Sequence, residues 1–470
     1  MKCLKKITLT TYAFVLASSA FGQLTFSGEY RPRAEYRHGY KSIADTNQKS
    51  AFSIDQRTRL TLDYIVDDYE FYLSVQDIRT WGSNQQLNIS DGFLSVHQAW
   101  AKINIKKGYS LKLGRQEIIH DDHRLFGNVA WLQQSRSHDA ALFQFNNDRS
   151  RFDFGIAFNQ IEGAMIGVDY SLTKSYRDMQ FIHFNHRFND KVVMSLTALN
   201  LGQQVDFMDG NESPSSSMNY TQTIGTFTKF NFDKFGMNVN AFYQMGSAPV
   251  TPVKSTSAYL FSIDASHKIS DKFFAGFGYE TQSGTTQTDT THSYLNVSHN
   301  FSPYFGTNHK FNGFMDYFYV GNSHGNVGLQ DIYLKLKYKK GSSFIALDAH
   351  MFLTGLGVEV YDSNGFSDAL DIASSQVEID AINATRYSDY KLSSYLGTEL
   401  DLSFETKINK SVTLKAGYSH MLASETLATL KGVVYTSGPN EGSGRVDQIN
   451  NWGYLMIIIK PTFLVRENKK

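Results

Sequence analysis

From Leu24 to Val465 the chain repeats one pattern: a run in which apolar and polar side chains alternate, then a connection that is by turns very short and very long. Alternation with a period of two is the mark of a β-strand with one apolar face. In the first run Leu24, Phe26, Tyr30, Ala34 and Tyr36 fall on one side, and Glu29, Arg31, Arg33, Glu35 and Arg37 on the other. The second sets Ile54, Leu60, Leu62 and Tyr64 opposite Asp55, Arg57, Arg59 and Asp63. These runs exceed the ~5–6 residues of an ordinary strand and suit the ~9–11 that a tilted strand needs to cross hydrocarbon.

Continued along the chain, the pattern predicts about 18 strands, an even number as bacterial membrane barrels require. Tight turns are expected at Asp67-Asp68, Lys107-Gly108, Asn147 to Ser150, Asn189-Asp190, Lys234-Phe235, Ser270-Asp271, Lys340 to Ser342 and Asn409-Lys410. Long connections follow Arg37, Thr80, Ile118, Gln160, Asn200, Gly246, Ser283, Thr354 and Ser424, the longest being Gly284 to Val327 and Gly355 to Leu392. The fold class is therefore all-β, a transmembrane antiparallel barrel with short periplasmic turns and long extracellular loops. A sandwich or propeller predicts no such asymmetry.

Compartment follows from the ends. Residues 1–22 carry Lys2, Lys5 and Lys6, an apolar run from Ile7 to Leu16 and small residues ending Ala20-Phe21-Gly22, which is a signal peptide. The expected organisation is a leader over 1–22, a barrel over 23–465 and a polar tail over 466–470. The single cysteine, Cys3, leaves with the leader, which excludes disulfides and thiolate-bound metal from the mature chain. With 45 basic and 45 acidic residues the net charge is zero, so nothing global points to nucleic acid.

One stretch, Ser110 to Phe145, concentrates charge between two strands: Arg115, Glu117, Asp121, Asp122, Arg124 and Arg136 beside three histidines. That load suits water rather than a packed core. Its order, LGRQE from Leu113, then D-x-R-L-F-G-N from Asp122, then W-L-Q-Q-x-R-x-x-D from Trp131, resembles the alginate-export family of outer-membrane β-barrels. The resemblance returns in FSPYFGTNHKFNGFMDYF (Phe301 to Phe318), GLQDIYLKLKY (Gly328 to Tyr338), LGTELDLSF (Leu396 to Phe404), GYSHM (Gly417 to Met421) and NWGYLMIIIKP (Asn451 to Pro461). It implies an outer-membrane channel for an anionic polysaccharide or oligosaccharide, in contact with outer-membrane lipid and with periplasmic secretion partners. It also places Arg115, Asp122, Arg124, Arg136 and Asp139 at the matching motif positions.

An anionic solute needs a wet, cationic path, because fixed positive groups concentrate anions and the guanidinium fork binds carboxylate in bidentate fashion. Strand parity sends Arg31, Arg33, Arg37, Arg57, Arg59, Arg151, Lys335 and Lys337 into the lumen, and the central stretch adds Arg115, Arg124 and Arg136. Inward acids such as Glu29, Glu35, Asp55, Asp153, Glu399 and Asp401 offer these bases structural partners. Arg115 shares its parity with apolar Leu111 and Leu113. Trp131, in the central loop, is the candidate platform for a sugar, while Trp81, Trp100 and Trp452 read as interfacial girdle residues.

Other chemistry finds little footing. His120-Asp121-Asp122-His123 lack the spacing to converge on one ion, and Ser419 and His420 are strand neighbours on opposite faces. No catalytic residue, metal or cofactor is expected, and the barrel is read as a monomer. Two further functions stay open beside export: an anion-preferring porin for uptake of small solutes, and a non-transporting structural barrel.

Overall fold

The computed structural model describes residues 22–466 apart from 88–91, 161–162, 164, 166–175, 209–213, 251, 290, 319–323, 362–390, 438–439 and 441. The leader expected over 1–22 lies outside the described residues but for Gly22, the tail but for Arg466, and most of the loop from Gly355 to Leu392 lies outside as well.

Eighteen strands form the wall: β1 Gln23–His38, β2 Ala51–Ile65, β3 Tyr69–Thr80, β4 Leu94–Lys106, β5 Tyr109–Gln116, β6 His138–Asn146, β7 Ser150–Phe158, β8 Asp178–Asn189, β9 Val192–Met208, β10 Pro214–Asn231, β11 Phe235–Ser247, β12 Ser255–Lys268, β13 Phe273–Gln282, β14 Leu329–Lys340, β15 Ser343–Leu353, β16 Tyr395–Lys407, β17 Val412–Ala423 and β18 Asn450–Ile459. Each pairs antiparallel with its neighbour in the chain, and β18 closes on β1 with Arg37 opposite Trp452 and Tyr30 opposite Ile459. Pro461, which has no N–H to give a ladder, interrupts the last strand. It resumes at Thr462–Arg466, still against β1, and Gly28 N donates to Pro461 O at 2.9 Å across the break. Closure removes the sheet edges that hydrocarbon cannot satisfy.

Strand parity places the apolar residues outward, where Leu60, Phe71, Ile103, Ile156, Leu347, Leu402 and Leu455 are all exposed. In water such a belt would be a liability, and against lipid it is the requirement. No described helix is long and apolar enough to cross a membrane. Leu402 lies mid-strand beside Leu347. Its replacement by Arg is expected to cost about 2–4 kcal/mol, and the same change at inward Ser403 far less, as measured by urea titration of the folded barrel in lipid.

Two expectations about the wall need correction. The β9–β10 hairpin runs to Met208 and Pro214, well past the bounds read from the sequence, because residues such as Gln203, Gln204, Ser215 and Ser216 pair by backbone alone and display no apolar face to betray a strand. Trp100 and Trp452 are no girdle residues. Both are buried and face the lumen, Trp452 completely.

Candidate functional site: a lumen filled by two loops

The larger correction concerns the interior. The central stretch between β5 and β6, and the segment 299–318 between β13 and β14, both fold into the lumen and meet there. They form a parallel bridge between Phe126 and Phe305, with Gly127 N donating to Phe305 O at 2.8 Å and Thr307 N to His123 O at 2.9 Å. Glycine is required on both sides. A Cβ on Gly127 would collide with Thr307 and His123, and one on Gly306 with the Arg124 carbonyl. Around the bridge Phe126, Phe181 and Phe305 pack with Leu125, Leu199 and Leu201, while Met315, Tyr317, Phe352, Leu396 and Trp452 form a second apolar core. The polar load of the central stretch had argued for water. Apolar residues scattered between the charges carry the packing instead, and each buried charge has a partner.

The arginines of β1 and β2 are used as staples. Arg31 donates from Nε and Nη2 to Gln133 Oε1 at 3.0 and 2.8 Å, from Nη1 to Ala130 O at 2.7 Å and from Nη2 to Leu132 O at 3.1 Å. Arg33 donates to Trp131 O at 2.5 Å and lies over the Trp131 ring at 4.1 Å. Arg57 donates to Gln133 O and Ser135 Oγ, both at 2.9 Å, and is paired with Glu29. All three are buried. Burying a charge is tolerable only when hydrogen bonds replace its hydration, and here loop carbonyls do so. Arg37 pairs with Glu35, which also accepts from Trp452 Nε1 at 2.9 Å. Arg59 donates to Gln76 at 2.7 Å.

Across the lumen the loops are fastened to the far wall. Arg124, only 2% exposed, pairs with Glu280 of β13 and donates to Asn312 at 3.2 Å. Asp122 accepts from Asn240 at 2.8 Å and Asp121 from Ser195 at 2.5 Å. Arg136 donates to Gly306 O at 3.2 Å. Met315 N donates to Glu399 Oε1 at 2.7 Å, and Phe314 N to Asp401 at 3.3 Å. Trp131 stacks on His309 at 4.5 Å with Trp452 and Tyr454 edge-on, so its faces are engaged by protein. Sequence reasoning had placed Glu399 and Asp401 inward by parity. It gave no signal for Glu280, Asn240 or Asn312 as loop anchors.

The remaining candidates sit lower or outside. Arg151 pairs with Asp153 at 2.6 Å and Lys335 with Asp348 at 3.4 Å, while Lys337 lies 3.8 Å over the Phe344 ring. Arg115 keeps the parity of Leu111 and Leu113 and pairs at 2.7 Å with Asp139, both half exposed. Two spaces flank the loops. One, of about 580 Å³, opens at the long-loop end. The other, of about 360 Å³, lies toward the short turns and is bordered by Lys102, Lys112 and Arg151 against Glu70 and Glu117, with Trp100 beneath Lys112 at 3.8 Å.

Burial pushes the Asp121 carboxyl of the central loop up to about 7, helped by Asp122 and opposed by the Ser195 hydroxyl and Arg151. A carboxyl whose pKa is raised on folding contributes fully below its unfolded value near 3.8, and that contribution is lost as pH rises toward about 7. The protection factors of residues 120–124, taken relative to intrinsic exchange at each pH, are therefore expected to fall between pH 4 and pH 7, and Asp121→Asn should flatten that fall. An unchanged slope in the variant would show that Asp121 is not its source.

No protein-family model matches the chain, and no curated protein matches it in sequence. The solved structures do. Over 96% of each chain it superposes on the outer membrane protein OprD from Pseudomonas aeruginosa with a TM-score of 0.56 at 10% identity. Pseudomonas aeruginosa OccD3 (OpdP) gives 0.55 at 12% identity over 93% of this chain and 92% of that one. Acinetobacter baumannii OccAB1 gives 0.55 at 8% over 94% and 97%. At these identities the likeness is one of fold. It agrees with the outward apolar belt and the closed wall, and the chain has the closed eighteen-stranded β-barrel fold of these outer-membrane proteins.

Proposed function

We propose that the protein is a passive outer-membrane channel for small anionic solutes, short acidic oligosaccharides among them. The observation that carries this reading is Lys112 in the space toward the short turns, where Lys102 faces Glu70 at 3.9 Å and Arg151 pairs with Asp153 at 2.6 Å. Lys112 has no carboxylate within ion-pair distance among the described residues, and its ammonium rests on the face of Trp100. A cationic enclosure with low-dielectric walls raises the local concentration of anions. Support for the channel class also comes from the likeness to OprD and the Occ barrels, whose solved structures share the wall.

The two inserted loops favour short solutes over a long polymer, because an extended chain would have to pass between elements held by buried ion pairs. Arg31, Arg33 and Arg57 serve the path by fixing the central loop, and Arg59, Arg151, Lys335 and Lys337 by lining it.

Flux into liposomes tests the reading. A hexuronate is expected to enter about tenfold faster than a neutral hexose at low salt, the difference shrinking at 1 M salt, where the Debye length is ~3 Å. A uronate polymer should stay outside. Equal entry of the two monomers at low salt would remove the anionic preference.

A further inference from the structure

We infer that the cavity at the long-loop end is a binding subsite for a polyhydroxylated six-membered ring, recognised through its hydroxyl groups rather than through charge. The site goes beyond the channel reading and does not depend on it, since binding here is expected whether or not the pore selects anions.

At about 580 Å³ the cavity falls within the ~300–1,000 Å³ usual for small-molecule sites. Its apolar side is aromatic: Phe305 meets Tyr176 edge-on at 5.4 Å, and Tyr304 lies next to it. Its polar side carries an unusual debt. Gln203 Oε1, Asn300 Oδ1, Thr256 Oγ1 and His138 Nε2 belong to lining residues, are closed off from bulk water and have no hydrogen-bond partner. An unpartnered buried acceptor or donor is destabilising until a partner arrives, and four belonging to residues around one cavity mark a site that something else completes.

The chemistry of the partner follows from the atoms. The two amide oxygens are acceptors only, so the ligand must bring donors. A carboxylate brings none and would leave them unpaired. An ammonium would meet Arg136 at the same cavity and be repelled, the Asp139 carboxylate there being taken by Arg115. Those two cations are themselves engaged, Arg115 with Asp139 and Arg136 with the Gly127 and Gly306 carbonyls. A pyranose satisfies all the terms, presenting O–H donors from its edge to the amides and hydroxyl while its C–H face lies on the aromatic side.

The test uses the full-length barrel in detergent and calorimetric titration with glucose, galactose, mannose, glucuronate and acetate at 0.1 M and 1 M NaCl. At least one neutral hexose should bind, the uronate of matching stereochemistry should bind within about threefold of it, salt should change neither, and acetate should give no heat. Gln203→Ala combined with Asn300→Ala should weaken binding tenfold or more with the barrel still heat-modifiable. Thr256→Val, which deletes an unpaired hydroxyl without changing shape, should weaken hexose binding while raising resistance to urea, a pairing that a merely structural threonine would not give. Absence of binding by every neutral hexose overturns the proposal. So does binding of glucuronate and acetate alone, weakened by salt. Neither result bears on anion flux, which is measured separately.

Discussion

Arg124→Met is expected to lower the unfolding free energy of the barrel by about 3–5 kcal/mol, because it strands the Glu280 carboxylate in a buried site. Glu280 is 3% exposed, and apart from Arg124 it is met by side-chain amides, from Asn312 at 2.9 Å and Gln282 at 2.9 Å. The second substitution decides the interpretation. Glu280→Gln in the Arg124→Met background should recover most of the loss, since a neutral amide needs no counter-charge and a buried ion pair exchanged for neutral groups is often close to neutral in stability. Urea titration followed by the gel shift of folded against unfolded barrel reads both. If the single variant is as stable as the wild type, the loop is not held by this pair. If the double variant is no better than the single, Arg124 acts through packing on Phe311, over which it lies at 4.4 Å.

The second large effect is on conductance. Arg31 and Arg57 together make six hydrogen bonds of 3.1 Å or less to residues 130–135. Hydrogen bonds to charged groups contribute ~1.5–3 kcal/mol each. Even a small fraction of their sum, discounted for water that replaces it, moves the loop's docked population by tenfold per ~1.4 kcal/mol. Arg31→Met with Arg57→Met should therefore give a pore with larger and noisier single-channel current, while Leu402 and its neighbours keep the barrel in the membrane. Current steps of unchanged size would mean that residues 130–135 are held by the bridge to 305–307 alone.

The wall was legible because one physical rule writes it. Lipid on one side and water on the other impose a period of two, and Leu60 and Leu62 against Arg57 and Arg59 show it without any knowledge of contacts. The hairpin extension past Asn200 was not legible for the same reason. Beyond the hydrocarbon the rule no longer applies, and Gln203 or Ser216 pair through backbone groups every residue has. The filled lumen was hidden differently. Gly127 and Gly306 are 179 positions apart, and neither announces that it must come within van der Waals distance of the other's loop. Arg31 and Arg57 were correctly turned inward by parity, yet an inward arginine reads the same whether it faces passing ions or the carbonyls of residues 130–133. Only the fold of the central stretch decides. The alternation of aromatics with Asn and His in Phe301 to Phe318 was the one available clue, since a wholly exposed loop has no use for Phe305, Met315 and Tyr317.

Reversal potential in a planar bilayer under a salt gradient tests the central claim most directly. A wild-type pore with a cationic enclosure at Lys102, Lys112 and Arg151 should reverse on the anion side, and Lys102→Gln with Lys112→Gln should shift it toward zero while the two loops stay docked. A wild-type pore that reverses on the cation side, or a double variant that keeps the full anion potential, would contradict it.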